Sequence, residues 1–139
     1  MSTKKAGWVQ PPAPQLLPLL VFDDEHIASV TLKSGVIRMR WADTSRHTEV
    51  REILETPGVG DHRERSKVDA VIDAMTAKQP GGKAGDLLND GRGNFFPCGS
   101  VLVGVGWSGV YRYWYVHGWS PVDVVNARRR VFSGNLLES

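Results

Sequence analysis

The residues best suited to chemistry in this 139-residue chain are a lone cysteine, Cys98, and a histidine, His117. A thiolate activated by a neighbouring imidazole would be a nucleophile with its own base. Cys98 lies between Pro97 and Gly99, and His117 falls about twenty residues on, where a hairpin would fold back towards it. His117, Arg92, Arg112 and an acid such as Asp86 are also the residue types of metal-independent RNA cleavage. These ingredients are common in any domain of this size, and general acid–base work requires hydrogen-bond reach, which spacing along the chain does not supply. No catalytic residue is therefore assigned, and a small hydrolase or nuclease using His117 stands as the third reading.

Three further motifs suggest ligands. Gly104-Val105-Gly106-Trp107-Ser108-Gly109 spells G-x-G-x-x-G, but a dinucleotide site needs that turn to open a helix. Here it is followed by Val110-Tyr111-Arg112-Tyr113-Trp114-Tyr115-Val116, which reads as a strand, so the motif is expected to be a hairpin turn. Gly81-Gly82-Lys83-Ala84-Gly85 has the glycines and lysine of a phosphate loop but no Ser or Thr after the lysine, and reads as a flexible solvated loop. Asp23-Asp24-Glu25-His26 gathers possible metal ligands, but neighbours on an extended chain point to opposite faces. Neither a cofactor nor a metal is assigned.

The most informative stretch is Val110–Trp119. With a period of two, Tyr111, Tyr113, Tyr115 and His117 share one strand face, and Val110, Arg112, Trp114 and Val116 share the other. Whichever face is not core leaves aromatic or Arg side chains exposed, and Tyr, Trp and Arg are enriched at interface hot spots. The competing reading is a core strand whose outer rings are covered by the N-terminal segment or the last helix. The leading expectation is a non-enzymatic structural or interaction protein that works by protein–protein contact or self-association. An assembly subunit or small interaction factor of viral or bacterial type would fit. Its expected contact residues are Trp8, Tyr111, Tyr113, Trp114 and Tyr115. The second reading is a nucleic-acid-binding module, with bases stacked on the aromatic face and Arg38, Arg40 and Arg112 on phosphates.

The elements that must position these residues follow from periodicity and punctuation. Residues 1–14 read as an extended arm: Pro11, Pro12 and Pro14 favour polyproline conformation, and Trp8 needs something to dock on. Ile27–Leu32 and Val36–Trp41 flank Lys33-Ser34-Gly35 as a hairpin, with Ile37, Met39 and Trp41 on its apolar face. A helix is expected over about Arg46–Glu55, capped by Asp43, Thr44 or Ser45. A second runs over about His62–Lys78, with Asp61 and Glu64 at capping-box spacing and a stripe of Val68, Val71, Ile72 and Met75. Residues 80–94 form a Gly-rich loop, and a second hairpin pairs about Ser100–Val105 with Val110–His117 around a turn at Gly106–Gly109. Ser120-Pro121 then opens a third helix, with Arg128, Arg129 and Arg130 at its C-terminal turn and Gly134-Asn135 as its stop. The order ββ-αα-ββ-α predicts a single α+β domain over residues 15–139, with two hairpins forming an antiparallel sheet against about three helices.

Gross composition agrees with such a domain. Hydrophobic residues make up 41% and charged residues 23%, and the net charge of +2 permits an anionic partner without demanding one. One cysteine excludes an intrachain disulfide and fits a reducing, cytoplasmic or intracellular setting. No apolar run approaches the roughly 18 residues of a membrane span. The run 16–22 is broken by Pro18 and followed by Asp23-Asp24-Glu25, which reads as structure and not as a signal peptide.

Overall fold

The computed structural model describes residues 17–137. Trp8 and the whole of the expected arm, residues 1–14, lie outside the described residues.

The fold is α+β: a mixed six-stranded sheet with one long helix on one face and a short helix on the other. The first hairpin forms as its sequence predicts. Strand β1 (Ile27–Leu32) pairs antiparallel with β2 (Gly35–Asp43), in the register Ile27↔Arg40 to Leu32↔Gly35. Lys33-Ser34 makes the turn, and Gly35 follows it at φ +132°, a conformation that side chains disfavour. Strand β3 (Thr48–Glu49) leads directly into helix α1 (Val50–Glu55), and helix α2 spans Arg65–Ala77. Then come β4 (Asn94–Cys98), β5 (Val101–Ser108), β6 (Tyr113–Trp119), β7 (Val124–Val125) and β8 (Arg130–Leu136). The main sheet runs β1-β2-β8-β4-β5-β6, and β3 pairs with β7 as a separate ribbon.

The expected order ββ-αα-ββ-α is corrected by two helices in place of three and by a sheet that is not purely antiparallel, since β4 runs parallel to β8. The segment expected as the third helix is a turn, the short strand β7 and the central strand β8. Its run of Val122, Val124, Val125 and Val131 suits pleated structure as well as a helix, and burial decides. Val131 and Phe132 are fully buried on opposite faces of the sheet, which only a strand between two layers can satisfy. Gly134-Asn135, expected as a helix stop, lies within β8.

The turn before β7 has another use. Asp123 accepts the Ser120 N–H through Oδ2 at 2.8 Å, and the carbonyls of Asp123 and Pro121 accept the Val50 and Arg51 N–H groups at 2.9 and 3.1 Å. A distant turn thereby satisfies two of the free donors at the start of α1. The helix expected from Arg46 is accordingly shortened. Ser45 is bonded to the Leu19 carbonyl, and Thr48–Glu49 pair with Val124–Val125, so tertiary hydrogen bonds hold residues 45–49 extended. Thr44, read as a helix cap, is buried and clamps the approach to β8 instead. Its hydroxyl donates to the Asn126 carbonyl at 2.9 Å and accepts the Arg129 N–H at 3.0 Å.

Helix α2 buries the expected stripe of Val68, Val71, Ile72 and Met75. Its start is three residues later than expected, and the Asp61–Glu64 capping box does not form: Glu64 makes no side-chain cap bond. The Asp61 N–H is taken by the Asn135 carboxamide at 3.2 Å.

Two cores result. Beneath α2 lie Ala28, Val30, Met39, Phe96, Cys98, Val103, Val105 and Phe132. Beneath α1, together with Leu19 and Leu20 of the leading segment, lie Ala42, Phe95, Leu102, Val125 and Val131. No helix of the described residues is long and apolar enough to cross a membrane.

Candidate interaction site

Strand β6 is an edge of the main sheet, bonded on one side to β5 in the register Leu102↔Trp119 to Ser108↔Tyr113. The hairpin turn lies three residues later than expected, at Gly109–Arg112. Trp107 is therefore in a strand, and Arg112 takes a left-handed φ of +58°. The side chain of Ser108 accepts the Tyr111 N–H at 3.1 Å, and its carbonyl accepts the Arg112 N–H at 2.7 Å.

The period-two reading of this strand holds. Tyr111, Tyr113, Tyr115, His117 and Trp119 form a continuous row of rings along the α1 face. Successive centroids are 6.4, 6.4, 5.8 and 5.5 Å apart. Tyr115, His117 and Trp119 are stacked, with interplanar angles of 12° and 21°, whereas the tyrosine end is splayed. Tyr111 is 78% exposed and Tyr113 52% exposed, so the row is open to solvent at that end.

The G-x-G of the sequence is the floor of this row. Gly104 lies opposite His117 and Gly106 opposite Tyr115. A Cβ on Gly104 would lie 2.5 Å from the Trp119 Nε1, and one on Gly106 2.5 Å from the Tyr115 Cζ. Glycine at both positions lets the rings lie over the strand, so the motif makes room for side chains and opens no helix. A recess of about 150 Å³ opens at the foot of the row, lined by Phe95, Tyr115, His117, Trp119, Val125 and Arg129. Among the described residues no carboxylate lines it.

The opposite face of the hairpin is covered. Trp107 and Trp114 meet edge to face at 5.3 Å, the Trp114 indole donates to the Gln79 carbonyl at 3.0 Å, and Arg112 sits 5.9 Å above the Trp107 ring. The Gly-rich loop closes over this pair, with Gly82 at φ +77° against the Trp107 ring. The loop is built and not merely solvated. The buried Gln79 carboxamide donates to the Lys83 and Leu87 carbonyls at 2.7 and 3.1 Å and accepts the Leu87 N–H at 3.0 Å. Asn94 does the same from β4, bonding both backbone groups of Leu88 and the Val105 carbonyl. The sequence does not single out these two amides. Their one signal is a Gln and an Asn bracketing a glycine-rich stretch.

The structure separates several residues that the sequence left open to meeting. Cys98 points into the core beneath α2, and His117 lies on the opposite face of the sheet, so they form no nucleophile–base pair. Burial also pushes the Cys98 thiol above its ordinary pKa, with Arg65 opposing, which disfavours the thiolate. Arg92 is paired with Asp90 at 2.7 Å. Arg38 and Arg40 share the α1 face of β2, but β8, β4 and β5 intervene before β6, roughly 19 Å at about 4.8 Å per strand. Arg40 is paired with Asp24, and Arg112 lies on the other face over Trp107. The three arginines thus form no single patch.

Arg130, expected at a helix C-terminus, stacks 3.5 Å over the Trp41 ring and bonds Asp43 at 3.0 Å. Among the described residues no three His, Cys, Asp or Glu side chains converge as a metal site. The acidic turn is used locally, with Asp23 accepting the Glu25 and His26 N–H groups. A cleft of about 950 Å³ lies between the β1–β2 turn and α2, and its rim mixes Lys33, Arg63 and Lys67 with Asp61 and Glu64. No protein family, curated protein or solved structure matches this chain.

Proposed function

We propose that this chain is a non-enzymatic assembly protein whose contact element is the edge of β6, paired with β6 of a second copy. The observation that carries the reading is the lack of edge protection among the described residues. Folded proteins usually blunt an edge strand with lysine, proline, a bulge or a covering segment. Tyr113–Trp119 contains no Lys, Arg, Asp, Glu or Pro and keeps an unbroken register with β5. Val116 is 39% exposed on the covered face of the hairpin, beside the open tyrosine end of the other. A two-fold antiparallel pairing of β6 with itself would continue the sheet and satisfy the backbone groups that β5 leaves free. It would bring no like charges into opposition, because the strand has none.

Light scattering of the full chain over a concentration series tests this. A dimer that dissociates with Val116→Lys, while the circular dichroism spectrum is retained, is the expected result. A wild-type chain that stays monomeric at every concentration would overturn the reading. Salt-sensitive binding to an oligonucleotide without self-association would favour the nucleic-acid reading instead.

A further inference from the structure

The ring row on the α1 face raises a question separate from the strand edge: what lies on it. We propose that it is a docking face for a proline-rich segment, and that residues 8–14 of the same chain, Trp8-Val9-Gln10-Pro11-Pro12-Ala13-Pro14, are its occupant. This goes beyond the assembly reading, because it concerns the face of the hairpin and not its backbone edge.

Four observations meet here. The first is the shape of the row. Grooves lined by aromatic rings accept proline-rich chains in polyproline conformation, because the pyrrolidine rings pack between aromatic planes and little chain entropy is lost. The Tyr111, Tyr113 and Tyr115 rings are splayed at 6.4 Å intervals, which leaves such gaps, whereas Tyr115, His117 and Trp119 are closed by stacking. The second is the sequence of the segment. Pro11-Pro12-Ala13-Pro14 has the P-x-x-P spacing, whose φ angles proline sets in advance.

The third is the route of the chain. Arg46 holds the Leu17 carbonyl at 2.9 Å, Ser45 holds the Pro18 carbonyl at 2.9 Å, and Leu19 and Leu20 are buried in the cluster against which Trp119 packs. Residues 17–20 are therefore fixed on the same face as the row. From Leu17 back to Trp8 is nine residues, a reach of roughly 28 Å at about 3.1 Å per residue. That compares with four ring steps of 5.5–6.4 Å. Tethering at this point gives a local concentration on the order of millimolar, so a weak contact suffices. The fourth is the recess of about 150 Å³ beside His117 and Trp119. Phe95, Trp119 and Val125 line it beside Arg129, and Trp8 is the one large side chain of the segment.

The chain has three tyrosines, Tyr111, Tyr113 and Tyr115, and all three stand on this row. Tyrosine nitration by tetranitromethane therefore reads the row and nothing else. The experiment compares the full wild-type chain with full-length Trp8→Ala/Pro11→Gly/Pro12→Gly/Pro14→Gly, both carrying Val116→Lys so that self-association does not contribute. Tyr113 and Tyr115 are expected to nitrate several-fold more slowly in the chain with the intact segment, and equal rates overturn the proposal.

A photoreactive benzophenone side chain in place of Trp8 provides the second measurement. Crosslinks within one chain to residues 111–119 are expected. Crosslinks to other residues, or between copies in a mixture of isotopically labelled and unlabelled chains, overturn it. The benzophenone chain also carries Val116→Lys, so both measurements are independent of whether the wild-type chain dimerises.

Discussion

The glycine floor of the ring row gives the sharpest test of the packing argument. In Gly104→Ala the new Cβ would stand 2.5 Å from the Trp119 Nε1 and 3.1 Å from the Phe95 Cε1, where ordinary contacts begin near 3.4 Å. Phe95 is buried and meets Trp119 edge to face at 5.2 Å, so neither ring moves freely. Overpacking of this kind costs about 1–3 kcal/mol. Alanine recovers about 0.5–1 kcal/mol that glycine loses in a strand. The net expectation is a loss of about 1–2 kcal/mol, read as a urea midpoint lower by about 0.5–1 M.

The source of the loss is checked by a double-mutant cycle with Trp119→Ala. Once the indole is gone, Gly104→Ala should lie within about 0.5 kcal/mol of neutral, which gives a coupling of about 1–2 kcal/mol. If Gly104→Ala costs the same in both backgrounds, or stabilises the wild-type chain, the rings do not lie over the strand as described and the reasoning fails.

The remaining expectations concern the supports of the hairpin and the central sheet. Gln79→Ala removes three hydrogen bonds and strands the buried backbone of Leu87, so it should destabilise by about 2–4 kcal/mol and speed hydrogen exchange across residues 83–88. Arg130→Lys keeps the charge but loses the planar contact with Trp41 and the fork towards Asp43 and Asp86, and should cost about 1–2 kcal/mol in urea denaturation. Burial raises the Cys98 thiol pKa, so the unfolded chain ionises first as pH rises. The stability this thiol contributes is complete below the ordinary thiol pKa of about 8.5 and is lost as pH rises towards the folded value. Cys98→Ala should flatten that alkaline decline, and the wild-type thiol should react with iodoacetamide only at the rate of unfolding.

Much of the site was legible as pattern. The alternation in Val110–Trp119 placed Tyr111, Tyr113, Tyr115 and His117 on one face; the structure keeps Tyr113, Tyr115 and His117 there because a strand offers only two faces, and Tyr111 joins the row from the turn. The residues beneath them were misread. Gly106 fitted the template of a turn, Gly104 was placed in the strand without a reason for being glycine, and only pairing with β6 shows that both are strand positions emptied to admit rings. Gln79 and Asn94 went unnoticed for a related reason: a buried amide is recognised by the backbone it satisfies, and those partners lie four to eleven residues away.

The sequence by itself determined whatever depends on neighbours within a few positions. The Lys33-Ser34-Gly35 hairpin, the buried stripe of α2 and the two faces of β6 all follow from local periodicity and turn chemistry. Only the tertiary structure decided the segment from Ser120 to Leu136. Its valines and arginines are compatible with a helix until Val131 and Phe132 must be buried on opposite sides of one chain, between β2 and β4. A central strand is chosen by the two layers that cover it, and those layers, α2 on one side and α1 with Leu19 and Leu20 on the other, come from distant parts of the sequence.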